Sequence, residues 1–274
     1  MDISAILREC PVFCNERRNM TGIDVYTGQG VIDWRRVADS GIGFAMIKAS
    51  QGRGETRATK NLRNFTDSKF AYNITEASKT SMKLGVWHWL TARSVAEAYY
   101  EADYFIETIS PYRDKITLWA AVDVESEQFL ADLGKAELTE ITRAFLNRLS
   151  KNGYRPMLYT NPNFIKYRFT KNAFKDTDIW LAHYGVAKPM NVPNLKIWQH
   201  SVGRVDGIKT AVDLDTGYFD STIYAVGRKY TIKAGDVYSN GKAVPARLVG
   251  TVCTISQVRT DKILLKEISS WVKI

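Results

Sequence analysis

The sequence predicts an α/β fold: an irregular β/α barrel of eight strands and about five helices, followed by a small all-β domain. Three observations carry that expectation. Eight short β-rich runs recur between Gly22 and Phe219, the number that a closed barrel needs. Helix-length segments separate the early runs but not the late ones. From about Ser221 the texture changes to short alternating runs divided by turn signals.

In chain order the runs are GIDVY (22–26), GFAMIKA (43–49), LGVWHW (84–89), TLWAAVDVE (117–125), PMLYT (156–160), IWLAHY (179–184), LKIWQH (195–200) and AVDLDTGYF (211–219). Helices are expected within 57–83, 93–110 and 134–152, the last with Leu138, Ile141, Phe145 and Leu149 at helical spacing. After Lys171 the gaps shrink to roughly ten residues, too short for a full crossover helix. The barrel is therefore expected to be nearly bare around its last three strands. An open doubly wound sheet is the alternative, but no GxGxxG or GxxxxGK[ST] run follows any strand, so a nucleotide-binding version lacks support. In the tail, Ser239-Asn240-Gly241 and Thr260-Asp261 mark turns between alternating runs. The organisation expected is an extension over 1–20, a barrel over 21–220 and a small β domain over 221–274. No internal repeat or low-complexity tract is visible.

Composition narrows the function classes. At 45% hydrophobic and 24% charged the chain matches folded, water-soluble proteins, and it has no apolar stretch of about 18 residues to insert in a membrane. Residues 1–20 lack a basic start, a long apolar run and a small-residue cleavage site, so a product made in the cytoplasm without a signal peptide is expected. Cys10, Cys14 and Cys253 are read as reduced thiols, and with only His88, His183 and His200 no metal-ligand set is recognisable. The histidines are read as structural, and no cofactor is expected. Net charge is +9, and residues 228–274 contribute +6 of it, with nine Lys/Arg against Asp236, Asp261 and Glu267. That asymmetry implies a polyanionic partner for the tail, either nucleic acid or anionic wall polymers. No basic helix or interleaved aromatic RNA motif accompanies it.

The residues richest in chemistry are carboxylates at strand ends, where barrel enzymes place their active sites. Asp24 ends the first strand, Asp123 and Glu125 end the fourth, and Asp213 lies in the eighth. Residues two apart share a face, so Trp119, Ala121, Asp123 and Glu125 point inward if Val122 and Val124 point toward helices. Crowded, buried carboxylates keep one of their number protonated near neutral pH, which a general acid for glycosidic cleavage requires. A structural ion-pair network is the competing explanation. Sugar rings stack on aromatic faces, and Tyr26, Trp87, Trp89, Tyr159 and Tyr184 lie near strand ends, with Tyr26 and Tyr159 foremost.

Taken together, GIDV (22–25), GVWHW (85–89), DVES (123–126), LYTN (158–161), IWLAHYG (179–185), IWQHS (197–201) and VDLD (212–215) resemble glycoside hydrolase family 25, the Chalaropsis-type lysozymes. The resemblance implies an N-acetylmuramidase that cuts the β-1,4 bond from N-acetylmuramic acid to N-acetylglucosamine in Gram-positive peptidoglycan. It matches Glu125 to the proton donor and carries over Asp24, Asp123 and Asp213 as the companion acids. Asp123 either orients the substrate's acetamido group or acts more directly. The Trp87-His88-Trp89 triplet departs from the family's usual Tyr-His-Phe-like third-strand motif. KILLKEISSWVKI (262–274) is similar to the SH3-like modules of phage lysins, which implies a phage endolysin whose tail holds peptidoglycan and anionic wall polymers. A bacterial autolysin of the same chemistry and a non-catalytic glycan-binding protein are the alternatives.

Overall fold

The computed structural model describes residues 19–52, 64–219, 224, 226–259 and 262–274. The expected extension over 1–20, with Cys10 and Cys14, falls almost entirely outside the described residues, as do the expected domain boundary between 220 and 221 and the turn at Thr260-Asp261.

Eight strands close into a barrel: β1 (Met20–Val25), β2 (Phe44–Gln51), β4 (Lys83–Trp89), β5 (Ala120–Asp123), β6 (Pro156–Thr160), β7 (Asp178–Ala182), β8 (Leu195–Gly203) and β9 (Val212–Gly217). A two-residue strand, β3 (Phe65–Thr66), pairs with β2 outside the ring. Neighbours from β1 through β8 run parallel, whereas β9 runs antiparallel to both β8 and β1. Because β1 pairs with both β2 and β9, the eight-stranded ring is closed and the doubly wound alternative falls.

Five α-helices occur among the described residues: α1 (Trp34–Asp39), α2 (Phe70–Ala77), α3 (Val95–Ile109), α4 (Glu127–Leu130) and α5 (Lys135–Lys151). Asp33 Oδ1 caps α1 by accepting from the Arg36 amide, and Ser94 Oγ caps α3 by accepting from the Glu97 amide. Among the described residues of the window 57–83, which begin at 64, the helix that forms is α2. Asp67 turns the chain ahead of it by accepting from the Lys69 amide, and Ser78 and Thr80 hydroxyls bond back to Thr75 and Ala77 carbonyls behind it. Such local side-chain bonds compete with helix continuation. Around the late strands the only helix is one π-turn, Phe164–Arg168.

Strand parity separates two cores. Ile23, Val25, Val122 and Val124 face the helices, while Phe44, Met46, Trp87, Trp119, Ala121, Met157, Tyr159 and Trp180 fill the barrel. Phe219 packs edge-on to Phe44 and Trp119, with ring centroids 5.3 and 4.9 Å away. Gly22 leaves room for that plug, since a Cβ there would lie 2.2 Å from the Phe44 ring. Between β4 and the α3/α5 pair, fully buried His88 donates or accepts through Nε2 with Glu101 Oε2 at 3.0 Å and through Nδ1 with Ser50 Oγ at 2.8 Å. Glu101 also accepts from the Thr91 amide and hydroxyl.

The tail is a four-stranded antiparallel sheet: β10 (Lys229–Thr231), β11 (Val252–Arg259), β12 (Lys262–Leu265) and β13 (Ser270–Lys273). It has its own core of Tyr230, Ile232, Cys253, Ile255, Val258, Ile263, Leu265 and Val272. Gly241, at φ +83°, supplies the left-handed residue of the turn that Asn240 begins.

Candidate active site

One mouth of the barrel opens as a cleft of about 470 Å³ lined by Asp24, Tyr26, Trp87, Asp123, Glu125, Tyr159, Asn161, Trp180, Ala182, Tyr184, Gln199 and Asp213. The four acids singled out from sequence converge there, as do Tyr26, Trp87, Tyr159 and Tyr184. β1 and β5 bring Asp24 and Asp123 to the rim at their C-terminal ends, and Glu125 follows two residues beyond β5, which ends earlier than its sequence run. Asp213 arrives differently. It is the second residue of β9, and because β9 is antiparallel its N-terminal end reaches the same rim, with Asp213 in register with Asp24. First and eighth strands are therefore adjacent.

Trp89 does not line the cleft. As the last residue of β4 it turns aside, half-buried, with its ring edge-on to Phe129 at 5.9 Å.

A hydrogen-bonded chain holds the acids. The Tyr159 hydroxyl donates to Gln199 Oε1 at 2.9 Å, and Gln199 Nε2 donates to Asp24 Oδ2 at 2.7 Å. Trp180 Nε1 donates to Asp215 Oδ1 at 2.9 Å, and the Tyr184 hydroxyl donates to Asp213 Oδ1 at 2.8 Å. Two cleft-lining residues carry buried polar atoms without hydrogen-bond partners among the described residues: Asp123 Oδ1 and Trp87 Nε1. Polar atoms left unpaired in a cleft await a ligand's complementary groups.

The electrostatics follow from crowding in a dry site. Burial, reinforced by the charge of Asp213, pushes Asp24 up to about 8 against the opposing hydrogen bond from Gln199. Burial and then Glu125 hold Asp123 well above the usual carboxylate range, with Lys48 pulling the other way. Glu125 is raised mainly by burial and further by Asp213, against hydrogen bonds to Tyr159 and Asn161. Asp215, wholly buried, is raised by burial and by the charge of Asp24, to which its carboxyl is hydrogen-bonded.

Sequence reasoning did not single out Gln199, Asn161, Asp215 or Lys48. Lys48 shares the inward parity of Phe44 and Met46 and is the one charged residue of its strand, which was a readable signal. Its ammonium lies 5.0 Å from the Trp87 ring, 5.1 Å from Trp89 and 5.9 Å from Tyr26, and donates to Gln51 Oε1 at 2.8 Å. Burial lowers its pKa, while Asp123 and Asp67 oppose the shift.

Residues 23–208 match the glycosyl hydrolases of family 25, and the chain belongs to that family. The autolytic lysozyme of Clostridium acetobutylicum is 32% identical over 199 residues, covering 72% of this chain and 55% of that protein, so the chain spans about half of its relative's length. A family 25 glycosyl hydrolase structure from Bacillus anthracis matches with a TM-score of 0.60 at 25% identity, covering 74% of this chain and 90% of that one. The spore cortex lytic enzyme SleM of Clostridium perfringens matches in fold with a TM-score of 0.66 at 20% identity, over 93% of this chain and 86% of that one. That likeness of fold runs past the barrel.

Proposed function

We propose that the protein is a lysozyme of the N-acetylmuramidase type, hydrolysing the β-1,4 bond between N-acetylmuramic acid and N-acetylglucosamine in peptidoglycan. The observation that carries the reading is the cleft itself, where acids raised by mutual burial meet an unpaired acceptor on Asp123 and an unpaired donor on Trp87. Glu125, the most exposed of the raised acids in that group, gives its proton to the glycosidic oxygen as the bond from the anomeric carbon breaks. Water then adds to that carbon and returns a proton to Glu125. Asp123 orients the acetamido group, whose N–H suits its free oxygen, and Tyr26 offers an exposed aromatic face for a sugar ring.

The basic tail sheet, read as SH3-like, holds the enzyme on anionic polymers of Gram-positive walls. A barrel joined to such a tail suits a phage endolysin, the role we assign to it. Mass spectrometry of the products released from purified walls tests the chemistry. New reducing ends on muramic acid are expected, and reducing ends on glucosamine overturn the bond assignment. The Glu125→Gln variant is expected to lose at least about a hundredfold in rate, the usual worth of a general acid. Retention of near-wild-type activity removes Glu125 from that role.

A further inference from the structure

The outer face of the tail sheet carries a conflict of charge that no carboxylate among the described residues resolves. In register across three neighbouring strands, Arg259 on β11 faces Lys262 on β12, and Lys262 in turn faces Lys273 on β13. Like charges directly opposite one another destabilise an antiparallel pair. Their side chains alternate with the inward-facing Val258, Ile263 and Val272, so all three cations stand on the solvent side. None of the three pairs with a carboxylate among the described residues. The Glu267 carboxylate is engaged elsewhere, accepting from the amide and hydroxyl of Thr254.

The row is also held in place. The Trp271 ring lies 4.6 Å from the Arg259 guanidinium carbon and 5.9 Å from Lys262 Nζ, fixing two flexible cations over one rigid indole. Three repelling charges, two of them fixed rather than splayed apart, are arranged for an anion. Adjacent strands are about 4.8 Å apart, so the row spans roughly 10 Å, enough for one phosphate between neighbouring cations or for two successive phosphates of a chain.

The geometry points to a binding site for a phosphodiester polymer on the Arg259–Lys262–Lys273 row, with Trp271 as its scaffold. This rests on the reading of the tail as the wall-holding part and gives that part a ligand class and an address. A polyol phosphate is favoured over nucleic acid because sequence-tolerant nucleic-acid binders use open aromatic faces to stack bases. Here the indole is partly buried and already occupied by Arg259.

The experiment measures binding of the full chain to soluble poly(glycerol phosphate), to single-stranded DNA and to intact Gram-positive walls. It compares the wild type with two triple variants of equal charge change. The row variant is Arg259→Gln, Lys262→Gln and Lys273→Gln, and the control is Lys233→Gln, Lys242→Gln and Arg247→Gln. The row variant is expected to bind poly(glycerol phosphate) at least about tenfold more weakly, as loss of charge-assisted contacts predicts, and the control within about twofold of wild type. Its melting temperature is expected not to fall, because removing the repulsion relieves the sheet; misfolding would lower it. Equal losses in both variants overturn the site in favour of diffuse attraction. Tighter, row-dependent binding of DNA overturns the polymer. Wall binding by the wild type without any binding of poly(glycerol phosphate) overturns the phosphate site and leaves the wall-holding reading standing. Absence of binding to walls as well brings down both.

Discussion

At the residue level the cleft trades stability for chemistry. Asp215 is fully buried, accepts from Trp180 and shares a hydrogen bond with Asp24, whose own pKa is pushed up to about 8. A carboxyl whose pKa is higher folded than unfolded contributes stability that is fully present below the unfolded value, about 3.9, and is lost as pH rises through the folded value. An asparagine at 215 keeps the acceptor for Trp180 and does not titrate. Asp215→Asn is therefore expected to raise the melting temperature at pH 8 by at least about 2 °C, the shift given by about 1 kcal/mol in a chain of roughly this size. The gain should vanish near pH 4, and an equal gain at both pH values would show that titration is not its cause. A second expectation concerns rate. Glu125 works while protonated, so activity falls as pH rises through its pKa. Because Asp213 helps to raise that pKa, Asp213→Asn should move the alkaline limb of the residual pH–rate profile to lower pH. An unmoved or upward-shifted limb contradicts the coupling. Asp24, Asp123, Glu125 and Asp213 were legible because acids at strand ends stand out against apolar runs. Asp215 sat unremarked in the same VDLD stretch, since parity puts both aspartates inside and only depth along an antiparallel strand separates the rim residue from the buried one.

Among the elements, strand number and the late scarcity of helices were readable from hydrophobic runs and gap lengths, whereas the direction of β9 was not stated. It was implicit in the connection 204–211, because a link shorter than about a dozen residues returns a chain antiparallel. The end of α2 was not readable from segment length, which does not register the Ser78 and Thr80 hydroxyls that turn the chain after it. His88 was rightly read as structural, but its partner Glu101 lies on α3 and becomes visible only when helix and strand are packed. That pair fastens α3 to β4 at the dry interface with α5. Glu101→Ala removes the acceptor for His88 and for both Thr91 donors, and is expected to destabilise by about 3 kcal/mol, as breaking a buried pair does. Denaturant unfolding measures it, and a loss under about 1 kcal/mol would mean that water or a rearranged Ser50 replaces the carboxylate.

At the scale of the molecule, the described residues form a barrel with two cores and a tail sheet with a third. Charge asymmetry in the sequence pointed to the tail's separate character, but the row across β11 to β13 needed strand register, which composition does not contain. If the tail acts as a tether, it raises the local concentration of the barrel at an insoluble substrate without touching the bond that is cut. Deleting residues 224–274 is then expected to slow lysis of whole walls by tenfold or more, in the range that tethering can supply, while hydrolysis of soluble muropeptides changes little. Equal losses on both substrates would make the tail part of the catalytic unit. The ring's closing seam has a temporal consequence. Met20 pairs with Gly217 and Asp24 with Asp213, so the first strand finds its second partner only in the last. On a ribosome, β1 must wait with one edge unpaired until β9 has emerged, and joining ends so far apart carries the largest loop-closure entropy in the ring. Asp24 and Asp213 meet only across that seam, so the cleft assembles last, and a nascent or truncated chain ending before Val212 carries no complete set of acids.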